Sequence, residues 1–309
     1  MLEVVASIAN LRERLLPMRR AGKSIGLVPT MGALHAGHRR LIERARQQNS
    51  AVVVSIFVNP LQFDRNEDLA RYPRPLDDDL TCCRELHVDF VFTPSAAEMY
   101  PHEQLAIVDV PQLSEHLCGA HRPGHFRGVA TVVMKLFQIV QPERAYFGEK
   151  DAQQLAIIQR MVEDLNLPLT IVPVATVREP DGLALSSRNR HLNEEQRQLA
   201  AILPTALQAA RARIQSGERS AHVIQTAVAP LFDRHPGLRL EYFSLVDPQT
   251  LAPVSYIDRP VLIAAALWIG STRLIDNLTV SPIENGQPPL SSPRTSTATE
   301  APPAKLRSP

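Results

Sequence analysis

Apolar and polar positions alternate along this chain in stretches that have first the period of a strand and then that of a helix. Ile8–Arg20 carries Leu11, Leu15 and Leu16 at helical spacing, and Ser24–Pro29 is a short apolar run of strand length. A Gly-containing turn follows; Gly37–Gln48 then puts Leu41, Ile42 and Ala45 on one helical face, and Ala51–Val58 is continuously apolar. Such a run suits a strand covered on both sides. A strand at Val88–Phe92, a helix at Val129–Val140, a strand at Arg144–Phe147, a helix at Ala152–Leu165 and a strand at Leu169–Ala175 continue the alternation. The pattern predicts an α/β fold, a Rossmann-like doubly wound parallel sheet over residues 1–176.

After Thr176 the pattern changes. Asn193 reads as the N-cap of a helix over Glu194–Ile214, with Glu195 and Gln196 in its first turn and Gly217 as its stop. A helix at Ala221–Phe232 follows, then strands at Leu238–Val246 and Val261–Trp268 with no helix between them. Residues 177–281 are therefore expected to form a smaller α+β domain. From Ser281 the chain is rich in Pro, Ser and Thr, which predicts a disordered tail over 282–309.

With 309 residues, 44% of them hydrophobic, the chain can bury the cores of two domains. The formal charge is +1, with acids and bases interspersed, so no basic face favours nucleic acid or a membrane surface. Small-molecule partners are expected. No apolar run approaches the ~18 residues of a membrane helix, and Glu3, Arg12, Glu13 and Arg14 come too early for a signal peptide. A cytoplasmic location is the expectation. Cys82, Cys83 and Cys118 lack metal-site or redox-motif spacing and read as reduced thiols.

Four motifs carry candidate chemistry. Pro29-Thr-Met-Gly-Ala-Leu-His35-Ala-Gly37-His38 lies between the first buried strand and its helix, where ligands bind in such sheets. Two histidines at a helix start can aim ring N–H groups at one anion, and the helix end adds unpaired backbone donors. Gly37 has no Cβ and would let a base or phosphate come close. Gly148-Glu149-Lys150-Asp151 occupies another strand-to-helix junction; Lys150 can neutralise phosphate, and Asp151 can cap the helix or meet a sugar hydroxyl or hydrated metal. Leu185-Ser186-Ser187-Arg188 offers hydroxyls and a guanidinium on a loop. Asn59 and Gln62, at the end of the long apolar strand, offer amides to a carboxylate or hydroxyls. Each motif also has a structural reading: histidines capping a loop, a solvated turn at Lys150, a common tripeptide, and a buried Asn59 amide serving its own loop. Asp77-Asp78-Asp79 reads equally as a solvated charge run or a functional one.

Together these elements resemble the pantothenate synthetase family, part of the H-x-G-H nucleotidyltransferase group related in fold to class I aminoacyl-tRNA synthetases. The likeness covers residues 1 to about 280 and includes Val28–Gly32, Ser55–Pro60, Arg71-Tyr-Pro73, Arg122-Pro-Gly-His-Phe126, Phe147–Asp151, Gln153-Gln-Leu155, Asp181–Asn189 and Arg273-Leu-Ile-Asp-Asn277. Leu185, where some members have Met, and the tail depart from the pattern. The resemblance implies that pantoate and ATP form pantoyl adenylate and pyrophosphate, and that β-alanine then attacks to give pantothenate and AMP. It implies His38, His35, Lys150 and Arg188 as catalytic donors. Met31, Gly32, Ala33, Leu34, Ala36, Gly37, Gly148, Glu149, Asp151, Val177, Leu185, Ser186 and Ser187 would complete the ATP site. Asn59, Gln62 and Gln154 would hold pantoate and β-alanine. Mg2+ on the phosphates and a homodimer are further implications, and no residue is singled out as a metal ligand. Two alternatives remain open here: a nucleotidyltransferase using a phosphorylated substrate, which would need no carboxylate pocket, and a nucleotide-binding module without catalysis.

Overall fold

The computed structural model describes residues 2–63 and 66–283; of the expected tail, residues 284–309 lie outside this range. The first layer contains β1 (Glu3–Val5), α1 (Ile8–Arg20), β2 (Ile25–Thr30), α2 (Ala36–Gln48), β3 (Ala51–Ile56), α3 (Leu76–Glu85) and β4 (Phe90–Phe92). It continues with α4 (His125–Val140), β5 (Arg144–Gly148), α5 (Ala152–Asp164) and β6 (Thr170–Val174). The six strands are parallel, in the order β1-β4-β3-β2-β5-β6. The chain runs outward from β2 through β3 and then returns to place β5 on β2's other side. That reversal opens a crevice beyond the carboxyl ends of β2 and β5.

β3 shows why its run is apolar throughout: Val53 packs into the core with Leu11 and Leu15 of α1 and Val129 of α4, while Val52 and Val54 pack with Leu41 and Ile42 of α2 and Cys83 of α3. The predicted parallel, doubly wound sheet is present.

The second part holds α6 (Glu194–Ala200), α7 (Ile202–Gln215), α8 (Ala221–Val228) and an antiparallel sheet of β7 (Leu238–Val246), β8 (Val261–Ile269) and β9 (Thr272–Val280). β8 is apolar on both faces because it serves two cores: Ile263, Ala265 and Leu267 meet the helices, while Leu262 and Ala264 join the first layer's core.

Several boundaries differ from expectation. The Asn193 cap is present as a capping box with Gln196, but the helix it starts ends at Ala200 and a separate one begins at Ile202. Pro204 explains the break, since its ring would crowd the carbonyl four residues earlier and it has no N–H to donate. Pro230 likewise ends the helix expected to reach Phe232, which stops at Val228. β1, β9 and α3 were not anticipated, and α3 contains the acidic run Asp77–Asp79.

Candidate active site

β2 ends at Thr30, whose hydroxyl donates to the Ser55 carbonyl (2.7 Å) and accepts the Gly32 N–H (3.1 Å). The chain then passes through left-handed conformations at Gly32 (φ 80°) and Ala33 (φ 51°). Asp79, 2% exposed, holds this turn by accepting the N–H groups of Ala33 (2.9 Å) and Leu34 (2.7 Å). A Cβ on Gly32 would lie 2.8 Å from Asp79 Oδ2, which is why glycine stands there. Burial raises the Asp79 carboxyl pKa, and the two N–H bonds oppose that shift.

The turn delivers His35 as the N-cap of α2. Its Nδ1 accepts the Gly37 N–H (3.1 Å), and His38 Nδ1 accepts the His35 N–H (3.3 Å), closing a capping box with imidazoles in place of the usual hydroxyl and carboxylate. With both Nδ1 atoms accepting, the ring protons sit on Nε2. Burial, then the Lys150 charge, lowers the His35 pKa to about 4; burial, then His35, lowers that of His38 to about 3. Both rings are therefore neutral N–H donors at pH 7. Gly37 lies on the cavity wall, and a Cβ there would meet His35 Cε1 at 2.8 Å. Glycine lets the His35 ring fold back over the helix start.

At the end of β5, Glu149–Asp151 form a 3-10 turn leading into α5. Asp151 takes the N-cap position, but its side chain makes no capping bond, contrary to the capping role open to it in the sequence. Gln153 is buried and structural, accepting the Cys118 N–H (2.9 Å) and donating to the carbonyls of Leu113 (2.8 Å) and His116 (2.7 Å). Its neighbour Gln154 faces the crevice.

Beyond β3, Asn59 is 1% exposed and its amide is saturated from within. Nδ2 donates to Gln62 Oε1 and to the Gly128 carbonyl (both 3.1 Å), and Oδ1 accepts from Leu61 N–H (3.3 Å) and Tyr100 hydroxyl (2.8 Å). The Asn59 amide is thus engaged by its own loop, Gly128 and Tyr100, although the residue stands on the cavity wall. It fixes Gln62, whose Nε2 is thereby turned toward Met31 Sδ (3.3 Å). His125 Nδ1–H (2.7 Å) and the Arg122 guanidinium (3.2 Å) both donate to the Gln62 carbonyl. α4 approaches so closely that a Cβ on Gly128 would lie 2.2 Å from the Leu61 carbonyl oxygen.

On the loop after β6, Leu185 N–H donates to the Val177 carbonyl (2.9 Å) and Ser186 Oγ accepts the Arg188 N–H (3.3 Å). Asn189 anchors the loop through Glu179 Oε1 (2.7 Å) and the Ala184 carbonyl (3.1 Å). Arg188 is exposed, and its guanidinium has no ion-pair partner among the described residues. These segments share one cavity of about 290 Å³. Of the residues expected at the nucleotide site, Gly32, Ala33, Leu34, Ala36 and Glu149 do not line it; the others do, as do Asn59, Gln62 and Gln154. Sequence reasoning left Asp79 open within its charge run and quoted Tyr72 and Asn277 only inside matching motifs; Tyr72 stands on the cavity wall and Asn277 binds the Lys150 turn. Asp79 had a faint signal, because it falls one helical turn before the apolar Cys83.

A family model for pantoate–β-alanine ligase matches residues 3–279. The chain belongs to the pantoate–β-alanine ligase family. Similar members include the pantothenate synthetase of Rhizobium rhizogenes (strain K84), 55% identical over 280 residues, which are 90% of this chain and 96% of that one. That of Moorella thermoacetica is 52% identical over 277 residues, 90% and 98% of the two chains. Among solved structures, a pantothenate synthetase from Thermus thermophilus superposes with a TM-score of 0.85 at 47% identity, covering 91% of this chain and 100% of that one. A pantoate–β-alanine ligase from Francisella tularensis, complexed with beta-gamma ATP and β-alanine, gives 0.75 at 33% identity, covering 90% and 97%. The resemblance drawn from the motifs and the expectation of a ligase are borne out. The cavity wall brings together the neutral His35 and His38 rings, the Lys150 and Arg188 side chains, and the Gln62 and Gln154 amides. Among the described residues no helix is long and apolar enough to cross a membrane.

Proposed function

We propose that the chain condenses pantoate with β-alanine in this cavity, forming pantothenate through pantoyl adenylate and releasing AMP and pyrophosphate. The observation that carries the reading is the pair of imidazoles locked by backbone N–H groups so that both Nε2–H donors stand free at the α2 N-terminus. A pantoate carboxylate oxygen bonds to the α-phosphorus of ATP, and the bond from that phosphorus to the bridging oxygen of pyrophosphate breaks. Charge grows on the α-phosphate and on the leaving group. His35 and His38 donate to it from fixed positions, and Lys150, Ser186, Ser187 and Arg188 neutralise or donate to the phosphates. The β-alanine amine then attacks the acyl carbon; the bond to the AMP oxygen breaks, and the amine loses a proton. No protein nucleophile takes part, because the adenylate is itself the activated acyl group.

Gln62, held by Asn59 with Nε2 forward, orients the pantoate carboxylate together with Gln154. Asp151 and Asp276 are the acids on the cavity wall, and Asp276 is paired with Arg178, which leaves the Asp151 carboxylate. A single carboxylate fits Mg2+ held chiefly by phosphate oxygens, as that ion is usually held. The ion would supply charge neutralisation on the departing pyrophosphate.

The same reading takes residues 1–176 as the substrate-binding domain and 177–281 as its cover, places the enzyme in the cytoplasm, and makes it a homodimer. Leu105, 86% exposed, and Ile107, 54% exposed, lie on the irregular segment 103–110 and give a second copy an apolar surface to cover. Sedimentation of Leu105→Glu against the parent tests the dimer face. The activity is tested by mixing protein, ATP, Mg2+ and pantoate with and without β-alanine and following AMP, alongside pantoate-dependent ATP–pyrophosphate exchange. Exchange without β-alanine, and AMP turnover only with it, is the expected result. Exchange that does not depend on pantoate would reject the reading.

A further inference from the structure

The strand β9 belongs to the small sheet, yet its alternation brings Arg273, Ile275 and Asn277 to the shared cavity. The two polar members reach into the first layer. Asn277 Nδ2 donates to the carbonyls of Glu149 (2.9 Å) and Lys150 (2.8 Å), so both its amide hydrogens go to the 3-10 turn that carries Lys150. About four residues away along the strand, or ~13 Å, Arg273 pairs with Glu241 (2.6 Å) and contacts Cys118 Sγ (3.4 Å). Asn277 is itself tightly placed. Its N–H donates to Asp276 Oδ1 (2.8 Å), its carbonyl accepts from Arg178 (3.3 Å), and Asp276 forms a two-pronged ion pair with Arg178 (2.6 and 3.0 Å).

We propose that Asn277 is a positioning residue for adenylation: it holds the Lys150 turn from the second sheet, so the phosphate-binding ammonium is in place only when that sheet is seated on the crevice. Apart from the 3-10 backbone bonds, no side chain of the turn itself holds it. Asp151 makes no capping bond, and Gly148, which precedes the turn, has no heavy atom within 4 Å of where a Cβ would be. The Asn277 amide is thus the side chain that fastens the Glu149 and Lys150 carbonyls. Because the clasp comes from β9, closure of the small sheet and charge placement at the phosphates are one event.

The inference rests on the reading of Lys150 as a phosphate ligand, and the test separates the two. Asn277→Ala removes both donors; Asn277→Leu removes them while keeping the side chain's volume. Each is expected to lower the maximal rate of pantoate-dependent ATP–pyrophosphate exchange by roughly 10- to 10²-fold, the effect of misplacing a group by about an ångström. In a Lys150→Ala background the same changes are expected to cost less than about 2-fold more, because a residue acting through Lys150 has nothing left to position. Losses that multiply in the double variants overturn the positioning role while leaving Lys150's role intact. A Lys150→Ala enzyme with unchanged exchange removes the phosphate role of Lys150 and this inference with it. If thermal unfolding shows that neither Asn277 variant folds, the residue is structural and the positioning role is rejected.

Discussion

Asp79 of α3 accepts the backbone N–H of Ala33 at 2.9 Å, and its second carboxylate oxygen accepts that of Leu34 at 2.7 Å. A carboxylate 46 residues away in sequence therefore sets the left-handed turn that aims His35 and His38. Asp79→Ala leaves two N–H groups without an acceptor, at about 1–3 kcal/mol each if they stay buried, and frees the turn. Adenylation, followed by pyrophosphate exchange, should drop on the order of 10²-fold. Asp79→Asn keeps one acceptor and should fall between the parent and alanine. Exchange near the parent's despite a lowered unfolding midpoint would confine Asp79 to stability.

His38→Ala should lower adenylation by roughly 10²–10³-fold, the usual loss when one fixed donor to a developing charge is removed. Folding should also suffer slightly, by about 1 kcal/mol, since the His38 ring caps the His35 N–H. Activity within a few-fold of the parent would make His38 structural only.

Gln62→Ala should weaken pantoate use far more than ATP binding, with exchange reduced on the order of 10²-fold through loss of carboxylate orientation. Asn59→Ala should do nearly the same through Gln62, because the Asn59 amide is what turns Gln62 Nε2 forward. Calorimetric titration with ATP is the control. A fall in ATP affinity equal to the fall in exchange would show that neither residue serves pantoate.

The two histidines also predict how stability depends on pH. Their folded pKa values lie at about 4 and about 3, below the 6.5 of an unfolded chain. As pH falls through 6.5 the unfolded chain takes up protons first, so stability is full above that value and is lost progressively toward pH 4. Adenylation by folded enzyme should show no titration of these rings between about pH 8 and 5. Denaturant unfolding across the range from neutral to mildly acid pH checks this: His35→Gln should lose less stability on acidification than the parent. Equal slopes would mean that the His35 pKa is not depressed.

Periodicity along the chain was enough to place the parallel sheet and the strand-turn-helix junctions at His35 and Lys150, because strand and helix periods are properties of neighbouring residues. Pro204 and Pro230 were equally local signals of the two helix breaks, and the expected helices overran them. The small domain was only partly visible. β9 mixes Arg273, Asp276 and Asn277 with apolar residues, since one of its faces meets a polar cavity and the other a core. What only the tertiary structure decided is how each polar atom is used. Asn59 and Gln62 look alike as amides at a strand end, yet the Gly128 carbonyl and the Tyr100 hydroxyl complete the first, while the second turns its Nε2 to Met31 Sδ on the cavity wall. Asp79 reads as one acid in a run of three until α3 packs it beneath the Ala33 turn. A pattern along the chain states which atoms must be buried or paired, but the partner of a buried polar group is chosen by segments that meet only after the sheet has closed around it.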